Sequence, residues 1–179
     1  MKNKILKTYK KHKFAQITRA ISKQDYVISS GFLVKVTDKF VVLQETEDFR
    51  LLGCVIFKTS TIREIRNNKN DRFYDKIMKA EGTKKLIGPK TKVEVTSWQT
   101  IFKSLKKAGS FVIVECEGSE KNHFVIGKIT AVNKKSVAIL YFDARGRFEK
   151  EATKIKFKKI TKVTFDDHYI DTFKKYVKK

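Results

Sequence analysis

Residues 31–36 read GFLVKV, and residues 127–132 repeat their outline as GKITAV, 96 positions later. The same offset sets the apolar run VVL at residues 41–43 against VAI at residues 137–139. Segments near the start and the end of the chain match at the same offset, and only one stretch late in each copy matches at an offset larger by two. One offset that fits so much of the chain predicts two copies of one small domain, not a single mixed fold.

The repeat sets the domain boundaries that we expect. Residues 1–82 are predicted to form the first copy and residues 97–179 the second, joined by a linker at residues 83–96 that holds the only proline, Pro89. Each copy has roughly 80 residues, which suffices for a hydrophobic core without disulfides or metals. The hydrophobic fraction of 41% and the 14 phenylalanines favour globular order over disorder.

Each copy is predicted to begin with a helix. In the second copy Ser97 is a good N-cap, and Gly109 follows the last apolar position of the helix. The apolar stripe consists of Trp98, Ile101, Phe102, Leu105 and Ala108, and its shorter counterpart in the first copy consists of Ile5, Leu6 and Tyr9.

Each copy is also predicted to end with a helix. Asn70 or Asp71 can cap the first of these helices, and Asp166 or Asp167 can cap the second. The predicted inward faces are Phe73, Tyr74, Ile77 and Met78 in the first copy and Tyr169, Ile170, Phe173, Tyr176 and Val177 in the second.

Residues of high β-propensity mark strands between the helices. In the second copy these segments are residues 111–117, 124–132, 136–141, 155–157 and 160–165. In the first copy they are residues 27–36, 40–44, 54–57 and 62–66. The five strands marked in the second copy and the four marked in the first, with tight polar turns, predict a mainly β fold of two small, strongly bent barrels, each flanked by helices.

The charge of the chain favours a polyanionic partner. Its 41 basic and 19 acidic residues give a formal net charge of +22, which attracts nucleic acid or an anionic membrane surface. Lysine outnumbers arginine by 34 to 7. Lysine acts as a point charge on phosphates, whereas arginine also reads base edges, so contact with a nucleic-acid backbone is favoured over sequence readout. A genome rich in A and T also enriches lysine, and composition is therefore the alternative explanation.

The outline of each copy resembles the Sm-like small β-barrel superfamily, which includes the bacterial RNA chaperone Hfq. Residues 31–43 and 127–139 are similar to its first motif, a glycine-led bent strand, a polar turn and an apolar strand. The resemblance implies an Sm-like or SH3-like five-stranded barrel in each copy. Sm-like rings form when the fourth strand of one barrel pairs with the fifth strand of its neighbour, and an added helix can block such an edge. We therefore expect a monomer or a small oligomer.

The same resemblance implies a way to bind RNA. In the second Sm-like motif an aromatic-lysine pair helps to hold RNA bases. Phe57-Lys58 is similar to that pair, and Phe157-Lys158 is its match in the second copy. Neither copy has the histidine that follows the lysine in Hfq-type rings.

The copies differ most in the loop after the third strand. The first copy has the acidic run ETED at residues 45–48, whereas the second places Arg145 and Arg147 among aromatic residues. Arginine with aromatic side chains is a composition that contacts phosphates and stacks on bases, although these aromatic residues also suit a core. Lysines near the end of the second copy form a basic strand face or a solvated edge. The candidate nucleic-acid-binding residues are Arg145, Arg147, Tyr141, Phe148, Lys156, Lys158, Lys159, Phe57 and Lys58.

Catalysis and metal binding are not expected. The histidines His12, His123 and His168 are scattered, and only His168 has neighbouring carboxylates, at a place where they suit a helix cap. The sequence contains no nucleophile elbow, phosphate-binding glycine loop or CxxC pair. Cys54 and Cys116 lack metal-ligand spacing and are expected to be buried thiols of a cytosolic protein. We expect no cofactor, no metal and no enzymatic activity.

These observations favour a non-catalytic module that binds RNA or single-stranded nucleic acid through a lysine-rich surface, mainly of the second copy. The alternative is a protein–protein interaction or scaffolding module whose lysines reflect genome composition. No stretch approaches the ~20 apolar residues of a membrane span. The first residues also lack the apolar run of a signal peptide, so we expect a cytoplasmic protein without a membrane segment.

Overall fold

The computed structural model describes residues 13–118 and 123–177. The chain divides into two compact units, of which the first ends at Pro89 and the second begins at Lys90. Both units are mainly β with helices beside the strands, and the predicted fold class is correct to that extent. The predicted first helix, marked by Ile5, Leu6 and Tyr9, lies outside the described residues.

The described part of the first unit contains five strands and one α-helix. They are β1 (Phe14–Ala20), β2 (Tyr26–Val36), β3 (Phe40–Glu47), β4 (Arg50–Lys58), β5 (Ile62–Arg66) and α1 (Lys69–Ala80). Short 3-10 turns follow β4 at Thr59–Thr61 and α1 at Thr83–Leu86. Neighbouring strands lie in the order β5-β1-β2-β3-β4.

The described part of the second unit contains five strands and two α-helices. They are α2 (Trp98–Lys107), β6 (Phe111–Cys116), β7 (His123–Val132), β8 (Ser136–Tyr141), β9 (Thr153–Lys156), β10 (Lys162–Phe165) and α3 (His168–Tyr176). A 3-10 turn at Phe157–Lys159 separates β9 from β10. The strand order β10-β6-β7-β8-β9 matches that of the first unit, strand for strand.

Strand β1 has no counterpart in the sequence prediction. Its core positions include Ala15 and Ile17 but also Arg19, which is only 1% exposed and interrupts the apolar pattern. The Arg19 guanidinium carbon lies 4.8 Å from the centre of the Phe57 ring, where a cation–π contact holds the charge in the core. The offset of 96 positions, which sets residues 15–20 against β6, was the signal that could have located this strand.

The second strand of each unit bends at a glycine. Gly31 lies opposite Glu45 on β3, and Gly127 lies opposite Tyr141 on β8. A Cβ atom at either glycine would overlap a backbone carbonyl oxygen of the neighbouring strand, so this close approach needs glycine. The pairing register shifts a few residues later in both strands, as at a β-bulge. The glycine-led stretches therefore give the same local geometry in both units.

Apolar residues lie on both faces of several strands. In β2, Leu33 belongs to the core between the strands, whereas the adjacent Phe32 packs with Phe14 and with Met78 of α1. In the second unit, Ile170 of α3 packs in the same cluster as Phe142. Burial on both faces explains why the apolar residues do not alternate strictly and why several predicted strand limits are wrong by one to four residues.

Helix α2 begins where it was predicted. The Ser97 hydroxyl accepts the Thr100 N–H at 3.1 Å, and the Thr100 hydroxyl accepts the Ser97 N–H at 2.9 Å. This reciprocal pair is a capping box. Gly109 follows the helix with a φ of 66°, the left-handed conformation that commonly ends helices.

The closing helices bury narrower faces than predicted. Met78 of α1 and Ile170 of α3 are buried. Phe73, Tyr169 and Tyr176 are exposed, which makes their predicted inward orientation wrong. The two helices have 12 and 9 residues, and each presents only a single stripe to its sheet.

The start of α1 is fixed by Asn68 and Asp71, so Asn68 is the cap and the predicted caps Asn70 and Asp71 are wrong. The Asn68 side chain accepts the Asp71 N–H at 3.1 Å, and the Asp71 carboxylate accepts the Asn68 N–H at 2.7 Å. Asp71 is 3% exposed and also accepts two bonds from the Arg66 guanidinium, at 2.9 and 3.1 Å. The bonds from Arg66 first, and then the Asn68 backbone, lower the pKa of Asp71 against the opposing effect of burial.

We expect Asp71→Asn to lower the free energy of unfolding by about 2 kcal/mol at pH 7, because Arg66 loses its charged partner and α1 loses part of its cap. The native pKa of Asp71 is lowered, so its contribution is complete above the unfolded pKa of about 3.9 and disappears as pH falls through the native value. Urea unfolding followed by circular dichroism at pH 7 and pH 3 tests this. The exposed Glu64→Gln should shift stability by less than about 0.5 kcal/mol at either pH. A difference between Asp71→Asn and the unaltered chain that is equal at both pH values would contradict the assignment.

Candidate nucleic-acid interface

A concave surface on the second unit collects five lysines. It has a volume of about 600 Å³. Its lining residues, which we call the lysine concavity, are Lys134, Lys135, Ser136, Lys154, Lys156, Phe157 and Lys158. All five lysine side chains are exposed, and no carboxylate lines this surface. The charge around the concavity is therefore uniformly positive.

Antiparallel pairing brings these lysines together. Ser136 at the start of β8 pairs with Lys156, and Ala138 pairs with Lys154. The turn that carries Lys134 and Lys135 thus lies at the same end of the hairpin as the end of β9. The Phe157 N–H donates to the Lys135 carbonyl at 2.9 Å and ties the 3-10 turn to the β7–β8 turn.

Phe157 gives the concavity an aromatic surface. It lies in the 3-10 turn, not in a strand as predicted, and its side chain is half-buried. Its ring is stacked against that of Phe102, with 5.8 Å between centroids and an angle of 4° between planes. Phe102 is fully buried in α2. The Phe157 ring therefore has a fixed orientation where it reaches the concavity.

The equivalent place in the first unit has a different charge. The Thr59 N–H donates to the Lys39 carbonyl at 2.9 Å, as Phe157 does to Lys135. Phe40 pairs with Lys58 as Ser136 pairs with Lys156. The residues at the corresponding positions are Asp38, Lys39, Phe40, Ile56, Lys58, Thr59 and Ser60, which include two lysines and one aspartate. The concentration of positive charge is therefore a property of the second unit.

The predicted aromatic-lysine pairs do not occupy equivalent places. Phe57 pairs with Val41, whereas the residue that pairs with Val137 is Ile155. Ile155-Lys156, and not Phe157-Lys158, therefore corresponds to Phe57-Lys58. Phe57 is fully buried, so a base has no face of its ring to stack on, and its predicted binding role is replaced by a core role. Lys58 is half-buried beside it.

The loop that carries Arg145 and Arg147 follows the end of β8 that is opposite to the lysine concavity. From Ser136 to Tyr141, β8 spans about 17 Å at the usual rise of a strand. Arg147 is held by Asp143, whose Oδ2 accepts from Nε at 3.1 Å and from Nη2 at 3.0 Å. The backbone N–H of Arg147, together with its side chain and the Arg145 N–H, lowers the pKa of Asp143. Tyr141 and Phe148 are half-buried against the aromatic cluster around Phe142, and Arg145 is exposed.

The structure thus brings together only part of the predicted site. Lys156 and Lys158 line the concavity, and Lys159 is exposed on the same turn without lining it. Lys134 and Lys135 were missed as binding residues. The signal for them was the position of the β7–β8 turn, which antiparallel pairing places beside the end of β9. Lys162 is paired with Glu115 at 2.9 Å, and its charge is compensated.

Other functional groups are placed in structural roles. Asp167 caps α3 by accepting the Tyr169 N–H at 2.9 Å, and Asp166 accepts from Thr91. Within residues 13–118 and 123–177, no group of three or more His, Cys, Asp or Glu side chains is arranged to hold a metal ion. Cys54 and Cys116 are buried, and burial raises the pKa of the Cys116 thiol.

Comparison with protein-family models, curated proteins and solved structures found no match to this chain. None of the helices in the described segments is long and apolar enough to cross a membrane.

Proposed function

We propose that this chain binds RNA, or another single-stranded nucleic acid, through the lysine concavity and catalyses no reaction. The observation that carries the proposal is the gathering of five lysines around one concave surface that no carboxylate lines. Lysine ammonium groups attract phosphates strongly without reading base edges, so the expected binding depends on the backbone more than on sequence.

The shape of the concavity favours a single strand. Lys154 and Lys156 are two residues apart in β9, so both lie on one face of the strand, about 6.6 Å apart. This spacing suits successive phosphates of an extended chain. A volume of about 600 Å³ accommodates one or two nucleotides of a single strand. The fixed ring of Phe157 offers an aromatic surface for a base, a contact that tolerates any sequence.

We also propose that each unit is an Sm-like barrel and that the chain arose by duplication. The equal strand orders, the glycine bends at Gly31 and Gly127, and the matching 3-10 turns support this. The turns that follow the second and fourth strands of the second unit carry Lys134, Lys135, Phe157 and Lys158, so both turns lie at the proposed binding surface.

A protein-interaction function is the second candidate. Tyr26 and Ile28 lie on the same face of β2 and are 55% and 65% exposed. Large apolar side chains on an exposed sheet face are a feature of interaction surfaces. A partner that is retained after nuclease treatment and lost in a Tyr26→Ser/Ile28→Ser variant would favour this candidate.

Salt dependence of binding tests the nucleic-acid proposal. We expect labelled poly-U and poly-A oligonucleotides to bind more tightly than a hairpin, with a log–log slope against salt of about −0.7 for each phosphate neutralised on a single strand. Engagement of all five lysines would give a slope near −3.5. Fluorescence anisotropy at several salt concentrations measures both quantities. Absence of binding at low salt would exclude the proposal, because even nonspecific basic proteins bind there.

A further inference from the structure

Helix α2 lies beside the lysine concavity. The Gln99 side chain donates to the Asn133 carbonyl at 3.2 Å, and Asn133 directly precedes Lys134, which lines the concavity. The ring of Phe102 stacks on that of Phe157, which lines the same surface. These two contacts join the first half of α2 to both turns that form the concavity.

One flank of α2 carries lysines away from the concavity. Gln99, Lys103 and Lys106 fall within about 60° of one another around the helix. At the usual helical rise, Lys103 lies about 6 Å and Lys106 about 10 Å from Gln99 along the axis. Both lysines are exposed. We call these three residues the α2 flank.

The far end of the α2 flank is held against β7. The Lys106 ammonium donates to the Thr130 carbonyl at 2.6 Å. Thr130 lies three residues before Asn133, so α2 runs back along β7 and away from the β7–β8 turn. A carbonyl takes up one of the three N–H donors of an ammonium group and leaves its charge in place, so two donors remain for a phosphate.

No acidic residue stands within this surface. Neither α2 nor residues 128–135 contain Asp or Glu. Lys103 and Lys106 form no ion pair with a described residue. Glu94 precedes the helix, and its N–H donates to the Ser104 hydroxyl at 3.1 Å. Ser104 is turned by about 100° or more around the helix from each residue of the α2 flank. The positive charge of the concavity therefore continues along α2.

We propose that the α2 flank is a second contact for the same nucleic acid, so that a single strand held in the lysine concavity continues along α2 and places phosphates on Lys103 and Lys106. This inference rests on the proposed nucleic-acid function. The length of the flank, about 10 Å, accommodates roughly one or two further phosphates of an extended strand. Single-strand grooves that follow the backbone with positive charge span several nucleotides. A dinucleotide fills the concavity alone, whereas a longer strand occupies both surfaces.

Ligand length separates the two contacts. The probes are 5′-phosphorylated diuridylate and octauridylate, each titrated into the ¹⁵N-labelled full chain. We expect diuridylate to shift the amide signals of Lys135 and Phe157 but none in α2. Octauridylate should shift the same two signals and also those of Gln99, Lys103 and Lys106.

The Lys103→Gln/Lys106→Gln variant tests the α2 flank by affinity. Glutamine favours a helix about as well as lysine does, so the variant should keep the amide spectrum of the unit. We expect about a fivefold loss of affinity for octauridylate at low salt and a log–log salt slope shallower by about 1.4, because two phosphate contacts are lost. Affinity for diuridylate should change by less than about twofold.

The matched control is Lys76→Gln/Lys79→Gln, which removes two exposed lysines at the same spacing on α1. It should change the affinity for either oligonucleotide by less than about twofold, because only long-range attraction is reduced. Equal losses of octauridylate affinity in the two double variants would overturn the inference.

The remaining outcomes distinguish this inference from the proposed function. If octauridylate shifts the signals of Lys135 and Phe157 but none in α2, the flank is not a contact and the concavity stays the binding site. If neither oligonucleotide shifts Lys135 or Phe157, binding at the concavity is wrong and the inference falls with it. Equal losses of diuridylate and octauridylate affinity in Lys103→Gln/Lys106→Gln would also contradict a strand that continues from one surface to the other.

Discussion

Gly127→Ala is expected to lower the free energy of unfolding of the second unit by about 3 kcal/mol or more. A Cβ at this position would overlap the carbonyl oxygen of Leu140 and lie 2.8 Å from its carbonyl carbon. Both atoms belong to the backbone of β8, so no side-chain rotation relieves the overlap. The overlap can be relieved only if β7 moves away from β8, which breaks the pairing of the two strands at the bend.

The matched control is Gly109→Ala in the same unit. Gly109 also has a positive φ, of 66°, but a Cβ there would meet nothing within 4 Å. Its expected cost is about 1 kcal/mol, the usual penalty for a left-handed residue with a side chain. Urea unfolding followed by the fluorescence of Trp98, the only tryptophan and a buried residue of α2, reports on this unit. Equal destabilisation by the two substitutions would mean that the close approach at Gly127 is not the cause.

Lys154→Gln/Lys156→Gln/Lys158→Gln is expected to abolish most of the binding of single-stranded RNA. The three side chains are exposed, line the lysine concavity and form no ion pair with a described residue. Loss of three phosphate contacts should make the log–log salt slope shallower by about 2 and weaken binding at low salt by at least about tenfold. Anisotropy titrations of a labelled poly-U oligonucleotide at several salt concentrations measure both effects.

A variant with the same change in net charge separates local from general attraction. Lys69, Lys76 and Lys79 are exposed on α1 in the first unit. Their replacement by glutamine should change affinity by less than about threefold, because only long-range attraction is reduced. Equal losses of RNA affinity in the two triple variants would show that the concavity is not the binding site. That result would favour the protein-interaction candidate.

The outline of the fold could be predicted because its signals are local. At residues 31–43 and 127–139, glycine marks a bend, polar residues mark a turn and an apolar run marks a strand. β1 was missed because a buried arginine, Arg19, stands at a core position, and its stability depends on the distant ring of Phe57. The predicted buried faces of α1 and α3 were too wide. How much of a helix is covered depends on the elements that pack against it, and the sequence of the helix does not specify these.

The candidate site was predicted only in part because it depends on strand register. Lys156 and Lys158 were identified from charge, whereas Lys134 and Lys135 join them through the pairing of β8 with β9. The match of Phe57 with Phe157 was wrong by two positions, and a shift of two keeps a side chain on the same face of a strand, so the periodicity gives no warning. Only the observed pairing of Ile155 with Val137 resolves it.

The glycine bends have an evolutionary consequence. Gly31 and Gly127 are constrained by contact with the backbone of the neighbouring strand. Asp38 and Lys134, on the turns that follow, are exposed. Substitutions can therefore change the charge of these turns without changing the geometry of the strands. The two similar units can then carry turns of different charge within a single polypeptide.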